Sequence, residues 1–260
     1  MRYGICNIAF IPMRIRASEV YEMTNQLIFG EHFTETEKRG SWSKIILAHD
    51  NYEAWIDNKN IVYISEETFN KINNSNIPIL CKPELIITRH DNSLMKIPIG
   101  SKLINNKVFN IQNFPSIDKE QIEASVIKTK DIRTNIVKIL TELMNTPYLW
   151  GGRTNWGIDC SGLVQNVFSL FDIKLPRDAI NQVEYGENIE FITETLPGDI
   201  AFFDDKNGKI IHVGIITGAN EITHASGRIK KDRLDHQGIF DYEKKVYTHN
   251  LRLIKRIINL

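Results

Sequence analysis

Three residues of this sequence have the types that acyl-transfer chemistry uses, and their spacing decides whether they can meet. Cys160 stands in Gly157-Ile158-Asp159-Cys160-Ser161-Gly162, directly before an apolar-periodic run. That context predicts a thiol in the first turn of a helix, where unpaired N–H groups and the helix dipole favour a thiolate. Gly151, Gly152, Gly157 and Gly162 leave room for a substrate backbone to approach. The same context also suits a buried cysteine at a helix start. A cysteine nucleophile needs an imidazole within reach and a third group to orient it. His212 lies in Ile210-Ile211-His212-Val213-Gly214-Ile215-Ile216. Alternation puts it on one strand face with Gly214 and Ile216, opposite Ile211, Val213 and Ile215. His224 follows in Glu221-Ile222-Thr223-His224, after a Gly218-Ala219-Asn220 turn. A hairpin there would set the two histidines side by side, and His224 would hold the His212 ring in one tautomer.

Each of these residues has a plainer reading beside the chemical one. A histidine within a strand is commonly a packing residue with a satisfied ring. A metal site built from Cys160, His212 and His224 is a rival, disfavoured because a helix-start Cys followed by Ser-Gly is better explained by nucleophilic use. Cys6 and Cys81 read as small buried hydrophobes. Three cysteines at wide spacing form no disulfide framework, and no Cys-x-x-Cys pair suggests zinc. His32, His49, His90, His236 and His249 lie in polar, irregular contexts and read as surface residues.

The elements that must position the three residues change character along the chain. The first 118 residues read as short strands, including Trp42 to Leu47, Glu53 to Ile56 and Ile61 to Ile64, punctuated by Asn, Asp and Gly. The segments 77–87 and 94–113 continue in this style, and strands of that length suggest small β-barrels. A polar stretch over 119–130 reads as a linker. Beyond it, Ile132, Ile136, Ile139, Leu140 and Leu143 follow helical spacing, with Asp131 as N-cap and Pro147 as terminator. A second helix is expected from Cys160 to Phe171 and a short third from Asp178 to Tyr185. Strands follow at Ile200 to Phe203, Ile210 to Thr217, Glu221 to Ala225 and Leu251 to Ile258. Helices first and strands after make the C-terminal half α+β.

Composition bounds the partners. The chain has 260 residues, with 32 basic and 32 acidic side chains and no net charge, so nothing marks it as a nucleic-acid binder. Arg228, Lys230, Lys231 and Arg233 cluster in what reads as a solvated turn rather than a phosphate site. No stretch approaches the roughly 20 apolar residues of a membrane span. The N-terminus, Met1-Arg2-Tyr3-Gly4-Ile5-Cys6-Asn7, has no apolar signal core and no small-residue cleavage site. The expectation is a cytoplasmic protein, or a periplasmic or exported one if the N-terminus was trimmed.

Six pieces in order resemble the NlpC/p60 family of bacterial cysteine peptidases. They are Pro147-Tyr148-Leu149-Trp150-Gly151-Gly152, Asp159-Cys160-Ser161-Gly162-Leu163-Val164, Leu175-Pro176-Arg177-Asp178-Ala179, Pro197-Gly198-Asp199-Ile200, His212-Val213-Gly214-Ile215 and His224-Ala225-Ser226. The resemblance covers 131–260 and implies a papain-like α+β domain with Cys160 as nucleophile, His212 as base and His224 as orienter. It implies an oxyanion held by the Cys160 N–H with help from the Tyr148 hydroxyl. Residues 1–64, with Phe29-Gly30-Glu31 and Tyr52-Glu53-Ala54-Trp55-Ile56, are similar to bacterial SH3-like barrels, and 65–118 is weakly similar to a second one. That arrangement resembles the γ-D-glutamyl-L-diamino-acid endopeptidases of cell-wall recycling. These act on murein peptides, L-Ala-γ-D-Glu followed by a diamino acid, with a free N-terminus. The resemblance then implies substrate contacts at Tyr148, Asp159, Ser161 and Asp178, with Asp178 on the L-Ala ammonium, and at Glu31 and Tyr52 of the first barrel. Asp178 reads equally as a helix N-cap, Glu31 as a solvated loop acid and Tyr52 as a packed ring. Ala179 departs from the Ser expected in many relatives. No metal or cofactor is expected. An amidase or acyltransferase on the same fold, and a peptidoglycan-binding module, are the rival readings.

Overall fold

The computed structural model describes residues 1–127 and 131–258. The chain divides into two compact units, Met1–Ile127 with Trp150–Asn155, and Lys128–Leu149 with Trp156–Leu260.

The first unit is built on seven strands: β1 (Arg2–Cys6), β2 (Phe10–Arg14), β3 (Met23–Ile28), β4 (His32–Arg39), β5 (Trp42–Leu47), β6 (Glu53–Asp57) and β7 (Ile61–Ile64). They form one antiparallel sheet in the order β3-β2-β6-β5-β4-β1-β7. Alternation does the sorting. In β5, Ser43, Ile45 and Leu47 are buried while Trp42, Lys44 and Ile46 are half-buried. The inward set packs with Cys6, Ile11, Met13, Leu27, Phe33 and Ile56 into one core.

Residues 65–118 do not form the second barrel that their punctuated apolar runs suggested. They hold the helix α1 (Glu66–Asn73), a lone hairpin of β8 (Glu84–Thr88) and β9 (Leu94–Pro98), and the short helix α2 (Asn106–Phe109). Ser65 caps α1 by accepting the Thr68 N–H, a signal visible in Ser-Glu-Glu-Thr. The apolar residues outside the hairpin, among them Leu80, Leu103, Ile104, Ile111 and Phe114, pack as irregular chain around Ile5 of β1 and Phe29, the residue after β3. Two strands alone cannot bury two faces, so this segment borrows the sheet's core instead of making its own. The expected linker over 119–130 begins with another helix, α3 (Lys119–Glu123), and its residues 128–130 lie outside those described.

The second unit starts with α4 (Ile132–Glu142), capped by Asp131 accepting the Thr134 N–H as its sequence predicts. Two short strands follow in the chain, β10 (Arg153–Thr154), which belongs to the first unit, and β11 (Gly157–Ile158). Then come α5 (Cys160–Ser169), α6 (Ala179–Gln182) and the strands β12 (Glu187–Ile189), β13 (Ile200–Asp204), β14 (Ile210–Gly218), β15 (Glu221–Ser226), β16 (Arg228–Asp235), β17 (Gly238–Asp241) and β18 (Val246–Arg256). The sheet runs β12-β18-β13-β14-β15-β16-β17, and β17 also pairs with β18, so six strands close on themselves. Helix α5, buried from Cys160 to Phe168, packs on β14 and β15.

Strands β16 and β17 were not anticipated. The basic cluster expected in a turn lies along β16, and every member faces an acid: Arg228 to Glu243, Lys230 to Asp232 and Asp241, Lys231 to Glu221, and Arg233 to Asp235. The Lys230–Asp241 and Lys231–Glu221 pairs join β16 to the strands on either side and let this polar segment extend a sheet that composition alone would not predict.

Candidate active site

The thiol is placed by the start of α5. Asp159 occupies the N-cap and accepts the Gly162 N–H at 2.7 Å. Its carboxylate is gripped by the Arg177 fork, Nη2 to Oδ2 at 2.5 Å and Nη1 to Oδ1 at 3.0 Å. Arg177 Nη1 also donates to the Ser161 hydroxyl at 2.8 Å, and Gln182 Nε2 donates to the Ser161 carbonyl at 3.0 Å. The turn that carries Cys160 is therefore clamped on both sides. Cys160 itself is 7% exposed. The backbone N–H groups of Val213 and Ser161 reach its sulfur, which sets the thiol against β14 at the residue that follows His212.

The surroundings of the thiol work against the expected thiolate. Burial, followed by the negative charge of Asp159, pushes the Cys160 thiol up to about 11, against the two N–H groups and Arg177 that pull it down. Desolvation outweighs the helix start because the site is closed to water on most sides.

Hairpin β14–β15 does what its turn residues predict. Ile215 lies opposite Thr223 and Ile216 opposite Ile222, with the register shifting before Gly218. His212 Nε2 and His224 Nδ1 are 2.8 Å apart, their rings at 81°. Gly214 makes this possible, since a Cβ there would sit 2.9 Å from the His224 Cβ and 2.7 Å from the Ile222 Cδ1. The space left by the missing side chain of Gly214, on the strand face of His212, is filled by His224 and Ile222. The Nε2 of His212 is engaged by His224, which leaves Nδ1 as its other ring nitrogen. Burial, then the charges of His224 and His249, lower the basicity of His212 well below its usual value.

Two members of this cluster escaped sequence reasoning. His249, expected at the surface, stacks on His212 with ring centroids 4.2 Å apart and 24° between planes. Burial, then the charges of His224 and Lys230, bring it down to about 4. It comes from the last strand, and no spacing in the sequence points to that contact. Asp232 lies 3.0 Å from His224 Nε2. Its signal was present but unread: alternation along β16 sets Lys230, Asp232 and Leu234 on one buried face. Of the other histidines, His90 and His236 are exposed as expected, whereas His32 is buried and His49 half-buried.

Residues 145–251 match the NlpC/P60 family, and residues 14–61 match the bacterial dipeptidyl-peptidase Sh3 domain. The chain carries an NlpC/P60 domain behind an SH3 domain. A γ-D-glutamyl-L-lysine dipeptidyl-peptidase of Bacillus subtilis (strain 168) is 27% identical over 77% of this chain and 71% of its own length. A probable endopeptidase NlpC of Escherichia coli (strain K12) is 43% identical over 31% of this chain, which spans 53% of that relative. Among solved structures, an NlpC/P60 family protein from Bacillus cereus ATCC 10987 superposes over 99% of this chain and 100% of its own, with a TM-score of 0.79 at 15% identity. That likeness is one of fold.

Within the NlpC/P60 domain, Tyr148 is half-buried and its N–H donates to the Gly227 carbonyl at 2.9 Å. Burial, then the charges of Cys160 and Asp159, push its hydroxyl far up, so it is a neutral O–H facing the thiol's region. Asp178 stands at the N-cap position of α6, half-buried, and makes no side-chain cap hydrogen bond there. Glu31 and Tyr52 belong to the first unit. Glu31 is 3% exposed and accepts from Arg153 at 2.9 and 3.1 Å and from the Ile28 N–H at 2.8 Å. Tyr52 packs on the barrel core. Among the described residues, no group of three or more His, Cys, Asp or Glu is arranged to hold a metal ion. No helix among them is long and apolar enough to cross a membrane.

Proposed function

We propose that this NlpC/P60 protein is a cysteine peptidase that hydrolyses the bond between γ-D-Glu and L-Lys or meso-diaminopimelate in murein peptides with a free N-terminal L-Ala. The observation that carries this reading is what β14 brings together: the Val213 N–H at the Cys160 sulfur and, one residue before it, His212 in contact with His224 at 2.8 Å. The choice of bond is supported by the relatives named γ-D-glutamyl-L-lysine dipeptidyl-peptidase in two Bacillus species, 27% and 22% identical.

In this scheme His212 Nδ1 takes the thiol proton as sulfur bonds to the side-chain carbonyl carbon of D-Glu. The oxygen that gains the charge is stabilised by the Cys160 N–H and the Tyr148 O–H. The C–N bond then breaks, and His212 returns its proton to the departing amine. Water, deprotonated by His212, attacks the thioester carbon, and the sulfur leaves with a proton as the free acid forms. Because burial favours the neutral thiol, the proton moves as the carbonyl is attacked. Asp178 is assigned the L-Ala ammonium, with Asp159 and Ser161 shaping the turn against the peptide.

Digestion of L-Ala-γ-D-Glu-L-Lys and its diaminopimelate analogue, free and N-acetylated, with mass readout tests the reading. The free peptides should yield L-Ala-γ-D-Glu and the blocked ones should be spared. Cys160→Ala should lose all turnover while keeping its fold. Undiminished hydrolysis by that variant would remove the thiol from the scheme, and equal cutting of blocked peptides would remove the ammonium contact from Asp178.

A further inference from the structure

We infer that Asp232 is a positioning residue that sets the protons of the whole imidazole line, acting on His212 through His224. The consequence for turnover rests on the peptidase reading above, but the proton arrangement itself does not.

The argument is one of donors and acceptors. Asp232 is 1% exposed. Its Oδ1 accepts the Tyr242 N–H at 2.9 Å, and its Oδ2 faces the Lys230 ammonium and His224 Nε2, each at 3.0 Å. Burial works against the charged form, but His224, the Tyr242 N–H and Lys230 together hold this carboxyl below its ordinary range. An ionised carboxylate only accepts hydrogen bonds. His224 Nε2 must therefore carry its proton toward Asp232. In neutral His224 the Nδ1 is then a lone pair, so the hydrogen bond of 2.8 Å has to be donated by His212 Nε2. That leaves His212 Nδ1 unprotonated, which is the state a base needs. With His224 neutral, each step follows from the one before, and the first is decided by Asp232.

The surroundings support this order. Strand pairing sets Asp232 opposite Ile222 and Lys230 opposite His224, so both residues of β16 face the histidine from one side. Lys230 is itself anchored by Asp241 at 2.6 Å, and Asp241 accepts the Glu243 and Lys244 N–H groups. With Lys230 beside it, Asp232 does not need a charged His224 to be satisfied. The other titratable groups facing the line are His249 from β18, stacked on His212, and Cys160 and Asp159 from α5, the latter paired with Arg177. None of these offers a second acceptor that would select the opposite tautomer of His224.

Long-range proton–nitrogen NMR spectra of the intact chain, without substrate, read the tautomers directly. Wild type should show protons on Nε2 of both His212 and His224. A proton on His224 Nδ1 in the wild type overturns the inference without any variant. Asp232→Asn should mix the tautomers, because no orientation of the amide accepts from Tyr242, Lys230 and His224 together. Its kcat should fall by on the order of 10²- to 10⁴-fold, with KM nearly unchanged, by analogy with an acid-to-amide change behind a catalytic histidine. In a His224→Ala background the same substitution should cost little more, because the two residues act as one unit. Full, multiplicative losses in that double variant would make Asp232 a structural residue only. Should Cys160→Ala prove active while the tautomers are as stated, the peptidase reading fails and the proton arrangement stands.

Discussion

His32 and His212 are the same residue type, each on a strand of a seven-stranded antiparallel sheet, and nearly equally hidden at 2% and 6% exposure. Burial depresses the basicity of both. His32 is brought down to about 3 by burial, then by Lys102 and His49. What separates them is where the ring nitrogens lead. His32 packs edge-on against Phe69, ring centroids 4.9 Å apart, with Asn73 beside it. His212 leads through His224 to an ionised Asp232. The buried acids follow the same division. Glu31 and Asp50 of the first unit face Arg153 and His49, whereas Asp232 faces His224, which in turn meets His212. A buried imidazole becomes a usable base through the order of its partners, not through burial.

The largest expected effect tests that difference. His212→Ala should lower kcat on the L-Ala-γ-D-Glu peptide by on the order of 10⁴-fold, far beyond what its loss of stability explains. His32→Ala should do the reverse, costing about 2–4 kcal/mol of stability with turnover within a few-fold of wild type. Parallel kinetics and denaturant melts decide it, and an inactive but stable His32→Ala would break the comparison.

Glu31→Gln comes next. It leaves the Arg153 guanidinium, 3% exposed, without its charge partner, and should cost about 3–5 kcal/mol. A raised KM with unchanged stability would instead return Glu31 to substrate binding, the role its resemblance implied.

Gly214→Ala is expected to cost about 1–3 kcal/mol, because its Cβ would press on Ile222 and His224. Turnover should fall by more than this stability loss explains, since the side chain displaced is the one that orients His212. An active variant with an ordinary His212–His224 contact would show that the hairpin relaxes freely.

The smallest effect concerns pH. The folded Cys160 thiol titrates at about 11, above its ordinary 9.0, so the folded state binds more protons between those values. Stability should accordingly be retained below pH 9 and decline as pH rises toward 11. Alkylation of Cys160 in the free protein should accelerate through the same range. Cys160→Ala should flatten the stability decline, and a fast alkylation plateau near neutral pH would mean that the thiolate forms without substrate.

Short-range chemistry was legible in the sequence. Asp131 announced one helix start and the apolar-periodic run after Cys160 another, alternation in 42–47 and 210–217 announced strands, and Gly218-Ala219-Asn220 announced the hairpin that joins His212 to His224. Such features depend on neighbours within a turn or a strand pair, where residue type and spacing largely decide the outcome. Cross-sheet partners decided the rest. Asp232, Lys230 and His249 meet the two histidines only because β16, β17 and β18 close the sheet on itself. The apolar runs of 65–118 likewise resembled a barrel until the sheet's core offered them a better burial than two strands could make. The sign of the thiol's shift belongs to the same class, because desolvation is a property of everything packed around Cys160 and not of the helix turn that carries it.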